Sequence, residues 1–222
     1  MFAGFDPGFF AFLKELKSHN TREWFADNKA RYVTDVEAPA LAFIAAFAPK
    51  LKTISPRFVA RPTRMGGSLF RIHRDTRFSP DKTPFKTHIA MRFPHDARGL
   101  ERAPSFYLHL SPGDCMGGGG LYHTDMPALR KIRARIHDEP RDWQVVRESG
   151  FDIQGEQLKR VPPPYPGAHA FGDDLRRKDF YAIETFTPED VMAPDFIDRY
   201  ASECGRIAPL VRFLCAALSA PF

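Results

Sequence analysis

Two short runs in the middle of the chain limit its fold more than any other feature. In HIAMRF, from His88 to Phe93, Ile89, Met91 and Phe93 alternate with His88, Ala90 and Arg92. In SFYLHLS, from Ser105 to Ser111, Phe106, Leu108 and Leu110 alternate with Tyr107, His109 and Ser111. A period of two places one set of side chains on each face of a β-strand. The intervening PHDARGLERAP is rich in turn formers, so the two runs are predicted to pair antiparallel. Their apolar sets then share the core, and His88, Arg92, Tyr107 and His109 share the other face as a pocket wall.

Helical patterns flank this centre. Asp6-Pro7 supplies an N-cap and a first-turn proline, with Phe9, Phe10, Leu13 and Leu16 at helical spacing and His19-Asn20 as the stop. Asn20-Thr-Arg-Glu23 fits a second start of the capping-box kind, and the alanine-rich run from Ala38 to Leu51 continues the helix past a break expected at Pro39. A third strand is expected around Met116 to Tyr122, and a helix opens at Thr124 or Asp125 with Pro127. Another helix follows from Pro140 to Ser149, stopped by Gly150. Phe180 to Phe186 reads as a short strand, and the stripe from Phe196 to Leu218 as a packed final helix. No repeat or low-complexity linker divides the chain, which predicts a single α+β domain over residues 1–222, a mostly antiparallel sheet flanked by N-terminal and C-terminal helices.

A chain of 222 residues with 43% hydrophobic content and 21 phenylalanines can bury a sizeable core. No apolar run reaches membrane-spanning length, and the N-terminus lacks a basic leader, so neither export nor a membrane partner is expected. Cys115, Cys204 and Cys215 are odd in number and far apart, which argues against disulfide scaffolds and zinc ribbons and for the cytoplasm.

The net charge of +5 is local in origin: residues 57–102 hold eleven Lys/Arg against four acids, or +7, leaving the rest at −2. Its densest part is RIHRDTRFSPDKTPFKTH, from Arg71 to His88. Arg71, Arg74 and Arg77 recur every three residues, but Pro80 and Pro84 impose extended or turn geometry. Arginine forks suit phosphate or carboxylate, and Lys82 and Lys86 add mobile point charges. The competing reading is a structural clasp in which Asp75 and Asp81 pair with two of the arginines. Two aspartates do not neutralise five Lys/Arg, so a surplus must face water or an anion.

Several motif matches fail on context. His73-Arg74-Asp75 has no accompanying nucleotide loop or metal-binding partner, and the Ser79-x-x-Lys82 pattern is interrupted by Pro84 where an acyl-transfer site needs a helix. Gly117 to Gly120 lie in a strand context, which predicts close backbone approach rather than a phosphate loop. Cys115 between His109 and His123 is weaker as a thiol nucleophile than as a buried small side chain. His73, His88, His109 and His123 show no paired metal spacing, so no metal is assigned.

FLKELKSHNTREWFADNKARY, RIHRDTRFSPDKTPFKTH, GGGGLYHTDMPALRKIR and LKRVPPPYPGAHAFGDDLRRKDF together resemble the conserved proteins catalogued as Domain of Unknown Function 2461. Phe85 departs mildly from the tyrosine often found there. The resemblance implies a soluble, mainly bacterial type of protein, and it brings no reaction or cofactor with it.

Side-chain chemistry therefore sets the functional expectation. A small anionic ligand is held by Arg71, Arg74, Arg77, Lys82, Lys86, Arg92 and Tyr107, with His88 and His109 as acid/base candidates. Nucleic-acid binding through residues 57–102, with Phe78, Phe85 and Tyr107 stacking on bases, ranks second. Cofactor and oligomeric state are not legible.

Overall fold

The computed structural model describes residues 2–97 and 103–222, so the turn expected between the first two strands lies partly outside the described residues. Helix α1 (Pro7–Ser18) buries Phe9, Phe12, Leu13 and Leu16, and Pro7 occupies a first-turn position where its missing N–H costs no helical bond. Thr21, not Asn20, caps α2 (Arg22–Asp27) by accepting from the Trp24 N–H. The single turn α3 (Lys29–Arg31) runs into a π-helical stretch, Tyr32–Glu37, and on into α4 (Ala38–Ile54). The break expected at Pro39 is therefore absent. A π turn offers each carbonyl to the fifth N–H onward, so the carbonyl that proline cannot serve has the next residue available.

Four antiparallel strands follow one another across one sheet: β1 (Ile89–Pro94), β2 (Ser105–Ser111), β3 (Asp114–Leu121) and β4 (Phe180–Phe186). Ile89 stands opposite Leu110, Met91 opposite Leu108 and Phe93 opposite Phe106, so the apolar sets of β1 and β2 coincide on one face. Helix α9 (Phe196–Ala217) lies across that face. A Cβ on Gly117 would sit 2.6 Å from the Tyr200 ring, and one on Gly119 would sit 3.0 Å from Val211. Glycine at these two positions lets the helix seat against the strand backbone. Tyr200 also donates its hydroxyl to the Tyr107 carbonyl at 3.1 Å, and it packs on Phe47 of α4 with ring centroids 4.9 Å apart.

The remaining helices close the other flank. Asp125 caps α5 (Met126–Asp138) through the Ala128 N–H, and α6 (Pro140–Arg147) sends Trp143 into the core against Phe213 at 4.8 Å. Helix α7 (Gly172–Leu175) precedes β4, and α8 (Pro188–Met192) starts with a reciprocal capping box between Thr187 and Asp190. The result is an α+β domain with one connected hydrophobic core. Among the described residues no helix is long and apolar enough to cross a membrane.

Irregular segments lie along both outer strands. On β1, the Phe70 N–H donates to the Ala90 carbonyl at 2.9 Å, Arg92 N–H to Ser68 at 2.8 Å, and Val59 N–H to Pro94 at 3.0 Å. On β4, the Gln154 N–H donates to the Tyr181 carbonyl at 2.7 Å.

Candidate functional site

The face of the sheet opposite α9 carries the polar half of each alternation. Arg92 stands beside Tyr107, and Tyr107 beside Gly118, in register across three strands; Ile183 and Tyr181 of β4 continue the row next to Gly118 and Gly120. These residues line a cavity of about 650 Å³ whose walls include Phe70, Tyr107, Tyr122 and Tyr181. Its floor is backbone. Gly120 has φ 138°, a conformation that disfavours a side chain, and a Cβ on Gly118 would reach 2.8 Å from the Ile183 Cα.

Among the described residues, Arg92 is the Lys/Arg side chain that lines this cavity. Its Nε donates to Ser105 Oγ at 3.1 Å and Nη2 to the Ala103 carbonyl at 3.4 Å, so neutral acceptors fix the guanidinium. Among the described residues no carboxylate pairs with it. A guanidinium carries five N–H groups, and those left over are available to a carboxylate or phosphate.

Beside the cavity on the same face, the His88 and His109 rings stack with centroids 4.4 Å apart, and Tyr107 Oη lies 3.3 Å from His109 Nδ1. Burial pushes His88 down to about 4, helped by the neighbouring His109 and the Lys86 charge. Burial also lowers His109, against the pull of the Asp114 carboxylate at 3.9 Å. Both imidazoles are neutral at pH 7 and able to accept a proton. Burial holds the Tyr107 phenol above its ordinary value, with Asp114 adding to the effect.

The basic segment is a pinned loop. The Lys86 N–H donates to the Ile72 carbonyl at 2.8 Å and the Arg74 N–H to Pro84 at 2.9 Å, making an antiparallel stem. Phe85 is buried and stacks on Phe25 at 4.1 Å, and the Asn20 amide grips both its backbone groups, donating to Phe85 O at 2.9 Å and accepting from Phe85 N at 3.0 Å. Arg74 pairs with Asp81 and Thr83; Arg77 pairs with Asp75 at 2.7 Å. Lys82 Nζ donates to the Thr76 carbonyl at 2.9 Å.

The sequence-predicted site thus falls into two parts. Arg92 and Tyr107 line the cavity, His88 and His109 adjoin it, and Lys86 lies near through its donation to Arg71 O at 3.0 Å and its position over the Phe70 ring at 5.3 Å. Arg74 and Lys82 line a different groove, shared with Asn20, Arg22 and Lys29. Arg71 is exposed at the base of the loop, and Arg77 is at its tip. Cys115 faces the core, and burial pushes its thiol up; the imidazole of His109 is on the other face, so the two form no nucleophile and base.

Tyr122, Tyr181 and Phe70 escaped the sequence reading, which weighed His123 as a metal ligand or a base for Cys115 and not as part of a cavity rim. His123 stands at φ 53°, with its N–H donating to the buried Asp179 carboxylate at 2.7 Å, and this bend brings β3 out at the cavity rim. The signal was present in LYHTD, where an aromatic pair follows four glycines, but nothing local distinguishes it from core. Among the described residues no cluster of three or more His, Cys, Asp or Glu side chains is arranged to hold a metal.

No curated protein and no solved structure matches the chain. Residues 8–213, nearly its whole length, match the family described as Conserved hypothetical protein (DUF2461), and the chain belongs to that family.

Proposed function

We propose that the protein binds a small anionic molecule, a carboxylate with a flat or apolar body, in the cavity on the open face of the sheet. The observation that carries this reading is Arg92: a guanidinium fixed by Ser105 and Ala103, without a carboxylate partner among the described residues, in a cavity walled by aromatic rings. The anionic group sits on Arg92 and Tyr107, and the flat body lies on the Gly118–Gly120 backbone against Tyr122 and Tyr181. Among the described residues the cavity lining holds one guanidinium, which suits a monoanion. The neutral His88 and His109 pair is the proton acceptor if the ligand is turned over, and Lys86 and Arg71 add positive potential beside it.

The arginines at the loop tip have another role in this reading. Arg74 and Arg77 spend their forks on Asp81 and Asp75, which supports the structural clasp for that part of the segment. Of the three side chains expected to stack on bases, Phe85 is buried and Tyr107 is half-buried, leaving Phe78 exposed. Three free, buried cysteines fit the reducing cytoplasm that we propose as its compartment.

The test is calorimetry with 4-hydroxyphenylacetate and its neutral amide. The carboxylate binds, the amide does not, and Arg92→Gln removes binding while Tyr107→Phe weakens it. Equal response to the two compounds, or full binding by Arg92→Gln, sinks the reading.

A further inference from the structure

The second half of the chain carries another groove, of about 940 Å³, between α6 and the loop that leads to β4. Arg147, Lys159, Arg160, Arg176 and Arg177 line it against Asp173 and Asp174, an excess of three positive charges. Both acids are occupied. Asp174 is buried, accepting from Trp143 Nε1 at 2.8 Å and Arg177 Nε at 2.9 Å, and Asp173 pairs with Arg176 at 2.7 Å.

What remains is cationic. Lys159 and Arg160 are exposed and enter no ion pair among the described residues, and Arg147 Nε stands 3.7 Å from an Asp174 oxygen already taken by the Trp143 indole. Behind the groove, Arg133 is 4% exposed, donates to the Arg177 carbonyl at 2.9 Å and has no carboxylate partner among the described residues. An uncompensated cation at that depth raises the positive potential of everything in front of it.

We infer that this groove binds a phosphate chain, the oligophosphate of a nucleotide or a free polyphosphate. A single carboxylate would leave most of the surplus unmet, whereas successive phosphates present several charges to separate cations. Arg147 and Arg160 supply forks and Lys159 a point charge. The half-buried rings of His169 and Phe171, 6.2 Å apart on the same wall, give a base somewhere to lie. The site is independent of the cavity on the sheet.

Calorimetry at low ionic strength with inorganic tripolyphosphate, and separately with ATP, tests the assignment. Lys159→Gln with Arg160→Gln weakens both ligands by about tenfold or more. Lys14→Gln with Lys17→Gln on α1, the same change in charge, leaves them alone. Tighter binding of ATP than tripolyphosphate identifies the nucleotide as the source of the phosphate chain; equal binding identifies the free chain. No binding of either ligand, or equal weakening by the two double variants, overturns the proposal.

Discussion

Asn20 holds the basic loop to the helical layer, so Asn20→Ala should loosen a segment distant in sequence. The substitution removes a donor to Phe85 O at 2.9 Å and an acceptor from Phe85 N at 3.0 Å, leaving two backbone groups without their partner. An abandoned buried polar group costs about 1–3 kcal/mol. Asn20 is half-buried, so water reaches part of the gap and the lower part of that range applies to each, for a total of about 2–3 kcal/mol. Phe85 still stacks on Phe25, which keeps the core closed.

Urea unfolding measures the loss, and limited trypsin digestion reports where it falls, because Lys82 and Arg77 lie on the loop that Asn20 anchors. The comparison is Asn28→Ala, which removes a bond to the Trp24 carbonyl only four residues away and one accepted from Arg31 Nη1 at 3.2 Å, both local and solvent-reached. That local loss should cost under about 1 kcal/mol and leave loop cleavage unchanged. If Asn20→Ala is no more destabilising than Asn28→Ala, and cleavage after Arg77 and Lys82 does not quicken, the anchoring role is wrong.

Acid should weaken the fold through His88. Its folded value of about 4 lies below the ordinary 6.5, so the unfolded chain binds the extra proton first as pH falls, and stability drops between about pH 6.5 and 4 before levelling. Full linkage across that interval is about 3 kcal/mol, reduced to about 1–2 kcal/mol by solvent screening of a partly exposed ring. Unfolding curves of His88→Gln should lose that slope, and an unchanged profile would remove His88 as its source. Gly117→Ala drives a methyl into the Tyr200 ring, with Leu108 also 3.3 Å away, and should cost about 1–3 kcal/mol in thermal or urea unfolding. A neutral result there would mean that α9 is free to shift on the strand.

The strands and their two faces were legible because alternation is a local signal. Phe180 to Phe186 forms a strand with the same bounds that its pattern predicts, and His88, Arg92, Tyr107 and His109 do share one side. The pairing of the arginines was legible only as a count. Two acids among five cations predicted two pairs, but the partners depend on the loop doubling back to place Asp81 beside Arg74, which no spacing rule reveals. Pro39 misled because proline reads as a helix break, whereas a π turn can absorb it. Asn20 looked like a cap because its partner lies 65 residues away. The groove around Lys159 and Arg160 was invisible for a related reason: its cations come from three separate stretches, none dense enough to resemble a charged run.

The irregular segments that bond to β1 and β4 also decide how other chains can approach. An incoming strand that docks by extending a sheet needs a rim of unanswered N–H and C=O groups, and here the β1 rim already has occupants at Phe70, Ser68 and Val59, while on β4 Gln154 answers the Tyr181 carbonyl. Zipping onto β1 would require peeling one of these segments away. The face between the rims asks for no such displacement, so recognition that begins there meets preformed walls and leaves the backbone ladder intact.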